Sequence, residues 1–200
     1  MEDLPKVLAS MKIGAGRIRE IVLSLRNFSR LDEAQMKPVD IHEGIDNTLL
    51  ILHHRLSEIQ LVKNYGDLPL VECYPGQLNQ VFMNILANAI DALDSQMNQG
   101  KITITTRIIQ PEKGDILPKN LPSTSAAISI KDNGPGMSDS VIKRLFDPFF
   151  TTKPVGKGTG LGLSISYQII VEKHRGTLQC FSTPGEGAEF LIQIPIKPST

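Results

Sequence analysis

One predicted helix presents carboxamide side chains where a solvated helix face would more usually present lysine and glutamate. Asn84 and Asn88 stand one turn apart in the middle of this segment, residues 76–93, although asparagine is a mediocre helix former. At about 100° per residue they share a narrow stripe with Gln80 and Asp91. Carboxamide oxygens suit a Mg²⁺ ion that phosphate groups also hold. The stripe therefore indicates either a ligand-binding ridge or an ordinary wet face.

A carboxylate and two glycines follow the next strand-like segment. The sequence there is Asp132-Asn133-Gly134-Pro135-Gly136. Glycine permits φ > 0 and lets a ligand approach the backbone closely. A carboxylate at the end of a strand can accept a hydrogen bond from an exocyclic amine such as that of adenine. The same residues also fit a type I or type II turn without any ligand, and the pattern leaves both interpretations open.

A glycine-rich loop is the third candidate for chemistry. It reads Gly156-Lys157-Gly158-Thr159-Gly160-Leu161-Gly162 and leads into a predicted helix at 163–173. Backbone N–H groups of such a loop, together with a helix N-terminus, bind anions. The spacing differs from that of a Walker P-loop, and no strand precedes the glycines as in a dinucleotide fingerprint. The preceding stretch contains three phenylalanines in five positions, and we expect a flap over residues 137–159.

The composition of the chain excludes several classes of protein. Basic and acidic residues both number 21, and a formal net charge of zero argues against nucleic acid as the main partner. Hydrophobic residues make up 40% of 200 residues, which excludes wholesale disorder and allows a real core. No apolar run approaches the ~20 residues of a membrane span. Cys73 and Cys180 lack CxxC partners, which excludes a thiolate zinc site. We expect a soluble, cytoplasmic protein.

Strands and helices must alternate to position these three candidates. Predicted helices lie at 76–93 and 163–173, with another starting after Asp40. The predicted strands lie at 59–63, 70–74, 101–109, 127–131, 177–182 and 189–194. Because this order does not follow a strict βαβ count, it predicts an α/β (α+β) fold, a mixed sheet covered by helices.

The first 37 residues differ from the rest in their periodicity. Apolar residues recur there at intervals of three and four: Leu8, Met11, Ala15, Ile18, Val22 and Leu25. The stripe is wider than a two-stranded coil requires, which favours a helix of a dimeric bundle at residues 1–37 and a second domain at 38–200. The alternative is an ordinary amphipathic helix packed on its own domain.

The order of the motifs resembles that of the histidine-kinase branch of the GHKL ATPases. Residues 84–89 look like its N box, 132–136 like its G1 box, 146–150 like its F box and 158–162 like its G2 box. The segment 184–190 is similar to the final glycine-turn-strand box. Each box alone is a weak signal, but four in this order at this spacing are specific. The resemblance covers essentially the whole chain.

The resemblance implies an ATP site on a GHKL (Bergerat) sandwich, in the catalytic part of a sensor histidine kinase of two-component signalling. Asn88 would ligate Mg²⁺, and Asp132 would accept from the adenine amine. Lys153 or Lys157 would neutralise the γ-phosphate, and the catalytic set is Asn84, Asn88 and Lys153. The nucleotide-binding set is Asn88, Asp132, Gly134, Gly136, Lys157, Gly158, Thr159, Gly160, Leu161 and Gly162.

The resemblance also implies partners. They are a second copy of the chain through the N-terminal helix, a response regulator receiver domain, and the acceptor-histidine helix or full-length kinase. None of His42, His53, His54 and His174 has the family's acceptor context, so we expect phosphoryl transfer to a histidine outside this chain. The location would be the cytoplasm, or the cytoplasmic part of a membrane-associated sensor.

Two positions depart from patterns found among the relatives. Ala188 stands where the last box often has threonine. Asn84 stands where the hydrolysing gyrase and MutL relatives resemble each other in having a glutamate base, and an amide cannot take a proton from water. This favours phosphoryl transfer over hydrolysis. The alternatives are a nucleotide-dependent dimerisation or regulatory module without turnover, and a GHKL ATPase.

Overall fold

Most of the secondary structure forms where alternation and helical periodicity predict it. The structure, a computed structural model, describes residues 35–94, 99–110, 124–153 and 159–197. The strands are β1 (Lys37–Val39), β2 (Gln60–Tyr65), β3 (Val71–Cys73), β4 (Lys101–Ile109), β5 (Ser125–Asp132), β6 (Thr177–Ser182) and β7 (Ala188–Pro195). The helices are α1 (Ile41–Ile51), α2 (Pro75–Leu93), α3 (Asp139–Ile142) and α4 (Gly162–Tyr167). A 3₁₀ turn at His53–Leu56 follows α1, and a π-helical segment at Gln168–Lys173 continues α4.

The longer strands form a five-stranded mixed sheet in the order β2-β4-β5-β7-β6. β2 runs parallel to β4, whereas the other three pairings are antiparallel. β1 and β3 form a separate antiparallel ribbon in which Pro38 lies opposite Glu72. The predicted fold class is confirmed. The sequence does not predict β1, because a three-residue strand with a central proline has too little alternation to be recognised.

A hydrophobic layer between the helices and the sheet fixes the orientation of α2. The apolar residues of this helix are almost fully buried: Leu78, Val81, Phe82, Ile85, Leu86, Ala89 and Leu93. They share one core with alternate residues of β4 and β5, among them Ile102, Ile104, Ile128 and Ile130. Each of these side chains except Ala89 contributes ~1.5–3 kcal/mol on burial. Because this apolar face is buried in the core, the neighbouring carboxamide stripe of α2 remains available to form the site.

The structure sets the limits of several helices and of the flap more closely than the sequence does. The Asp40 carboxylate caps α1 by accepting from the His42 N–H at 2.8 Å. The predicted helix at 163–173 is present, but its second half is π-helical. The predicted flap contains the short helix α3, while its residues 154–158 lie outside the described ranges. The predicted bundle helix also lies outside them over residues 1–34. Within the described ranges, no helix has the length and apolar character needed to cross a bilayer.

A buried histidine joins the end of the π-helical segment to the start of α2. His174 is 4% exposed, its Nδ1 lies 2.8 Å from the Ile169 carbonyl oxygen, and its Nε2 accepts from the Tyr74 N–H at 3.0 Å. This pairing requires the proton on Nδ1 and a neutral ring. Burial lowers the pKa of His174 below its ordinary 6.5, although the hydrogen bond to Ile169 acts in the opposite direction.

We predict that His174 titrates below pH 6.5 as the Nδ1–H tautomer, because a proton on Nε2 would oppose the Tyr74 N–H. With an unfolded-state pKa near 6.5, its stabilisation is complete above that pH and is lost as the pH falls towards the folded-state pKa. Imidazole ¹⁵N NMR between about pH 5 and 8 measures the titration and the tautomer. A midpoint at or above 6.5, or an Nε2–H ring, would contradict this assignment.

Candidate active site

The Asp132 carboxylate lies buried where β5 ends. The residue is 5% exposed, and its Oδ1 accepts from the Gly134 N–H at 2.8 Å and from the Ala188 N–H at 3.3 Å. Burial raises the pKa of Asp132 above its ordinary value, although these backbone hydrogen bonds act to lower it. One carboxylate oxygen therefore ties the end of β5 to the glycine turn and to the start of β7.

The glycine turn after Asp132 is required by its backbone contacts. Gly136 has a φ of +67°, and a Cβ there would lie 2.0 Å from the Thr183 carbonyl oxygen. No other residue type fits such a position without a shift of the backbone. The Gly185 N–H donates to the Pro135 carbonyl at 2.7 Å, which holds the turn against the β6–β7 hairpin. The predicted turn is thus part of the wall around Asp132.

Asn88 and Lys153, which the sequence places in different motifs, are in direct contact. The Lys153 Nζ donates to the Asn88 Oδ1 at 2.9 Å and also to the Asp91 Oδ2. The other oxygen of Asp91 contacts Arg55. Burial raises the pKa of Asp91, but the hydrogen bonds and charges of Lys153 and Arg55 outweigh it and hold that pKa below its ordinary value. This end of the site is therefore a cation-rich cluster around an ionised carboxylate.

Asn84 lies at the site and binds the first turn of α4. Its Nδ2 donates to the Gly162 carbonyl at 2.9 Å and to the Ser166 Oγ at 3.1 Å. The Ser166 hydroxyl donates to the same carbonyl at 2.8 Å. In this arrangement Asn84 fastens α4 to α2, and it sets where the glycine-rich segment enters the helix.

The glycine-rich segment is also held by the phenylalanine-rich stretch. The Phe149 N–H donates to the Gly160 carbonyl at 2.9 Å. Gly160 has a φ of +66°, and a Cβ there would lie 2.4 Å from the Phe149 carbonyl carbon. The Thr159 hydroxyl accepts from the Leu161 N–H at 3.3 Å. Of the predicted loop residues, Lys157 and Gly158 lie outside the described ranges.

The residues near Asn88 fit a divalent cation. The Asn88 Oδ1 already accepts from an ammonium group, and the Asp91 carboxylate lies one turn further along α2. Mg²⁺ commonly takes one or two protein oxygens and completes its octahedron with waters and substrate phosphates. A half-buried amide oxygen facing a cation matches that requirement.

Two parts of this arrangement have little or no signal in the sequence. Arg55 is a single arginine in a 3₁₀ turn, and no spacing connects it to Asp91 on another helix. In the sequence, Ala188 stands out only because threonine is frequent at this position. In the structure its backbone N–H donates a hydrogen bond to the Asp132 carboxylate. A backbone donor can occur at any residue type except proline, so the sequence cannot reveal it.

The chain belongs to the family of histidine kinase-, DNA gyrase B- and HSP90-like ATPases, which residues 73–198 match. Sporulation kinase E of Bacillus subtilis (strain 168) is 39% identical over 150 residues, which are 74% of this chain and 18% of that protein. The signal transduction histidine-protein kinase AtoS of Escherichia coli (strain K12) is 35% identical over 186 residues, which are 90% of this chain and 27% of that protein.

A solved catalytic domain of the histidine kinase ThkA superposes with a TM-score of 0.65 at 26% identity, and the match covers 82% of this chain and 99% of that domain. The resemblance to the histidine-kinase branch of the GHKL ATPases is thereby confirmed. This chain has the ATP-binding type of domain that sensor histidine kinases contain. It spans about a fifth to a quarter of the length of the two curated kinases named above.

We predict that Asn84→Ala loosens α4, because it removes both hydrogen bonds to Gly162 and Ser166. At ~0.5–1.5 kcal/mol for each bond, the free energy of unfolding should fall by about 1–3 kcal/mol. Hydrogen exchange should quicken at residues 162–167. Gln80→Ala is the matched control, because Gln80 lies one turn earlier on α2 and makes no hydrogen bond to α4 within the described residues. Equal effects of the two substitutions would refute the fastening role.

Proposed function

We propose that this chain is the ATP-binding catalytic part of a sensor histidine kinase, which transfers the γ-phosphoryl group to a histidine on another polypeptide segment. The observation that carries the proposal is the combination of a buried acceptor, Asp132, with an amide oxygen, Asn88, that faces a cation. These are the groups that recognise an adenine amine and a phosphate-bound metal. Family membership and the similarity to histidine kinases support it.

Adenine recognition is assigned to Asp132. Its Oδ1 is engaged by the Gly134 and Ala188 N–H groups, so the ligand amine would address Oδ2. An ionised carboxylate is a pure acceptor and therefore favours the 6-amino group of adenine over the 6-oxo group of hypoxanthine or guanine. Gly134 and Gly136 keep the pocket wall free of side chains.

The phosphate end is assigned to Asn88, the glycine-rich segment and the lysines. Asn88 would hold Mg²⁺, which when bound neutralises charge on the phosphate oxygens. Backbone N–H groups of Gly160, Leu161 and Gly162 would bind phosphate, together with Lys157, Gly158 and Thr159. The Lys153 ammonium group already contacts the Asn88 amide oxygen, and we assign to it the neutralisation of the γ-phosphate charge.

Transfer is proposed in preference to hydrolysis because the site lacks a suitable base at Asn84. Its amide is neutral, and its donors are committed to Gly162 and Ser166. It would contribute by placing α4 and the phosphate-binding segment. Catalysis would then consist of positioning and charge stabilisation, as in other phosphoryl transfers.

The partners follow from the same proposal. Residues 1–37 would supply a helix of the dimerisation bundle, and two copies of the chain would associate through it. An acceptor-histidine helix or full-length kinase would receive the phosphoryl group, and a response regulator receiver domain would accept it in turn. The reaction would take place in the cytoplasm.

We predict that Asp132→Asn weakens ATP binding about ten- to hundredfold, the cost of one charge-assisted hydrogen bond. The asparagine oxygen can still accept from Gly134 and Ala188, so its NH₂ group would turn towards the ligand and oppose the adenine amine. Isothermal titration with ATP and Mg²⁺ measures the change. Because burial raises the pKa of Asp132, wild-type affinity should also fall as the pH drops through that value and the acceptor becomes protonated.

Inosine triphosphate sharpens this test, since its 6-oxo group accepts where adenine donates. Asp132→Asn should lose much less affinity for inosine triphosphate than for ATP. Asp139→Asn, which removes an exposed carboxylate on α3, is the control. It should change neither the affinity for ATP nor the affinity for inosine triphosphate. Unchanged ATP affinity in Asp132→Asn, or equal losses for both nucleotides, would remove the adenine assignment.

A labelling experiment tests phosphoryl transfer itself. The chain incubated with γ-³²P-ATP and Mg²⁺ should accumulate almost no acid-labile phosphate, because transfer needs an imidazole nitrogen in line with the γ-phosphate. A polypeptide that carries a histidine-kinase acceptor helix should become labelled when it is added. Strong labelling at His42, His53, His54 or His174 would contradict the proposal. ATP binding without transfer to any acceptor would instead support a regulatory module.

A further inference from the structure

Asp91 lies between two cations that come from different parts of the fold. Its Oδ1 accepts from Arg55 of the 3₁₀ turn, and its Oδ2 accepts from Lys153. The Arg55 guanidinium also lies 3.6 Å from the Asp94 carboxylate. Each oxygen of Asp91 thus holds a separate element against α2.

The same ammonium group occupies the amide oxygen to which we assign the metal. The Lys153 Nζ is 2.9 Å from the Asn88 Oδ1. The side chains of Lys153 and Asp91 are 33% and 34% exposed, so water screens the contact only in part. An ammonium group and Mg²⁺ beside one oxygen would repel each other strongly. A metal can therefore bind well at Asn88 only after Lys153 has moved.

We propose that Asp91 is a positioning residue that holds Lys153 on Asn88 in the absence of nucleotide, where the ammonium group stands in for the metal. The inference rests on the proposed function, because it takes Asn88 as the metal ligand. With Mg²⁺ and nucleotide bound, Lys153 would leave the amide oxygen, and Asp91 would keep its ammonium group near the phosphates. Arg55 assists by occupying the other carboxylate oxygen, which leaves Oδ2 for the lysine.

Acetylation of lysines tests the Asp91–Lys153 contact without any nucleotide. The full chain is treated with limiting N-hydroxysuccinimidyl acetate, and mass spectrometry compares Lys153 with the exposed Lys101 and Lys131 as internal references. Asp91→Asn should raise the Lys153 rate about two- to fivefold, the range expected for a partly exposed ion pair. Asp91→Glu keeps the charge and should retain the slow rate.

Asp94→Asn is the matched control for loss of a carboxylate. Asp94 contacts Arg55, whereas its carboxylate makes no ion pair with Lys153 within the described residues. The acetylation rate of Lys153 should stay at the wild-type value in this variant. An unchanged Lys153 rate in Asp91→Asn, or an equal increase in Asp91→Asn and Asp94→Asn, would overturn the inference.

A second measurement tests whether the ammonium group stands in for the metal. ADP is used because it lacks the γ-phosphate assigned to Lys153. Isothermal titration measures the affinity for ADP in the presence of Mg²⁺ and in the presence of EDTA. The ratio of the two affinities is the factor by which Mg²⁺ strengthens ADP binding. Lys153→Met should raise this factor at least about threefold, because it removes the cation that competes with the metal for the Asn88 amide oxygen. Lys143→Met, at an exposed lysine after α3, should leave it unchanged.

The outcomes separate the two proposals. An equal Mg²⁺ factor in the wild-type chain and in Lys153→Met would overturn this inference while ATP binding stands. No ADP binding to the wild-type chain under either condition would overturn the proposed function, and with it the metal role of Asn88.

Discussion

The buried carboxylate of Asp132 is the constraint on which the rest of the site depends. An ionised group out of water is costly unless hydrogen-bond donors compensate for the lost solvent. Here the donors are the backbone N–H groups of Gly134 and Ala188. Both must stay in place for the charge to be tolerated, which couples the end of β5, the glycine turn and the start of β7. Gly187, just before that strand, packs so closely that a Cβ would lie 2.1 Å from the Asp132 carbonyl oxygen.

The other end of the site is governed by charge pairing on α2 rather than by burial. The core fixes the helix, and its polar stripe then faces α4 at Asn84 and Lys153 at Asn88 and Asp91. Two segments that are distant along the chain, α4 and the stretch that carries Lys153, are therefore held by one helix. This explains how a single helix can place both the glycine-rich segment and the cation next to it. The Asp132 end is held by backbone hydrogen bonds to a buried carboxylate and the Asn88 end by contacts with a partly exposed cation, so substitutions at one end should leave the other largely intact.

The long elements could be predicted, and the candidate site residues Asn88 and Asp132 could be singled out, because their signals are local. α2 and β4 have strong periodicity, and Asn88 and Asp132 belong to motifs a few residues long. The unpredicted side-chain contacts depend on pairs far apart in sequence. Arg55 and Asp91 are separated by 36 residues, and Tyr74 and His174 by 100. Only the tertiary structure brings such pairs together, and neither residue of either pair carries a pattern that identifies its partner.

The most direct test of the account is a crystal structure of the chain with Mn²⁺ and a non-hydrolysable ATP analogue, with the metal located by anomalous scattering. We expect an anomalous peak within ligand distance of the Asn88 Oδ1, with the adenine amine on the Asp132 carboxylate. Lys153 should have left the Asn88 oxygen and should contact phosphate or Asp91. A metal peak away from Asn88, or an adenine ring that does not meet Asp132, would contradict the central claim.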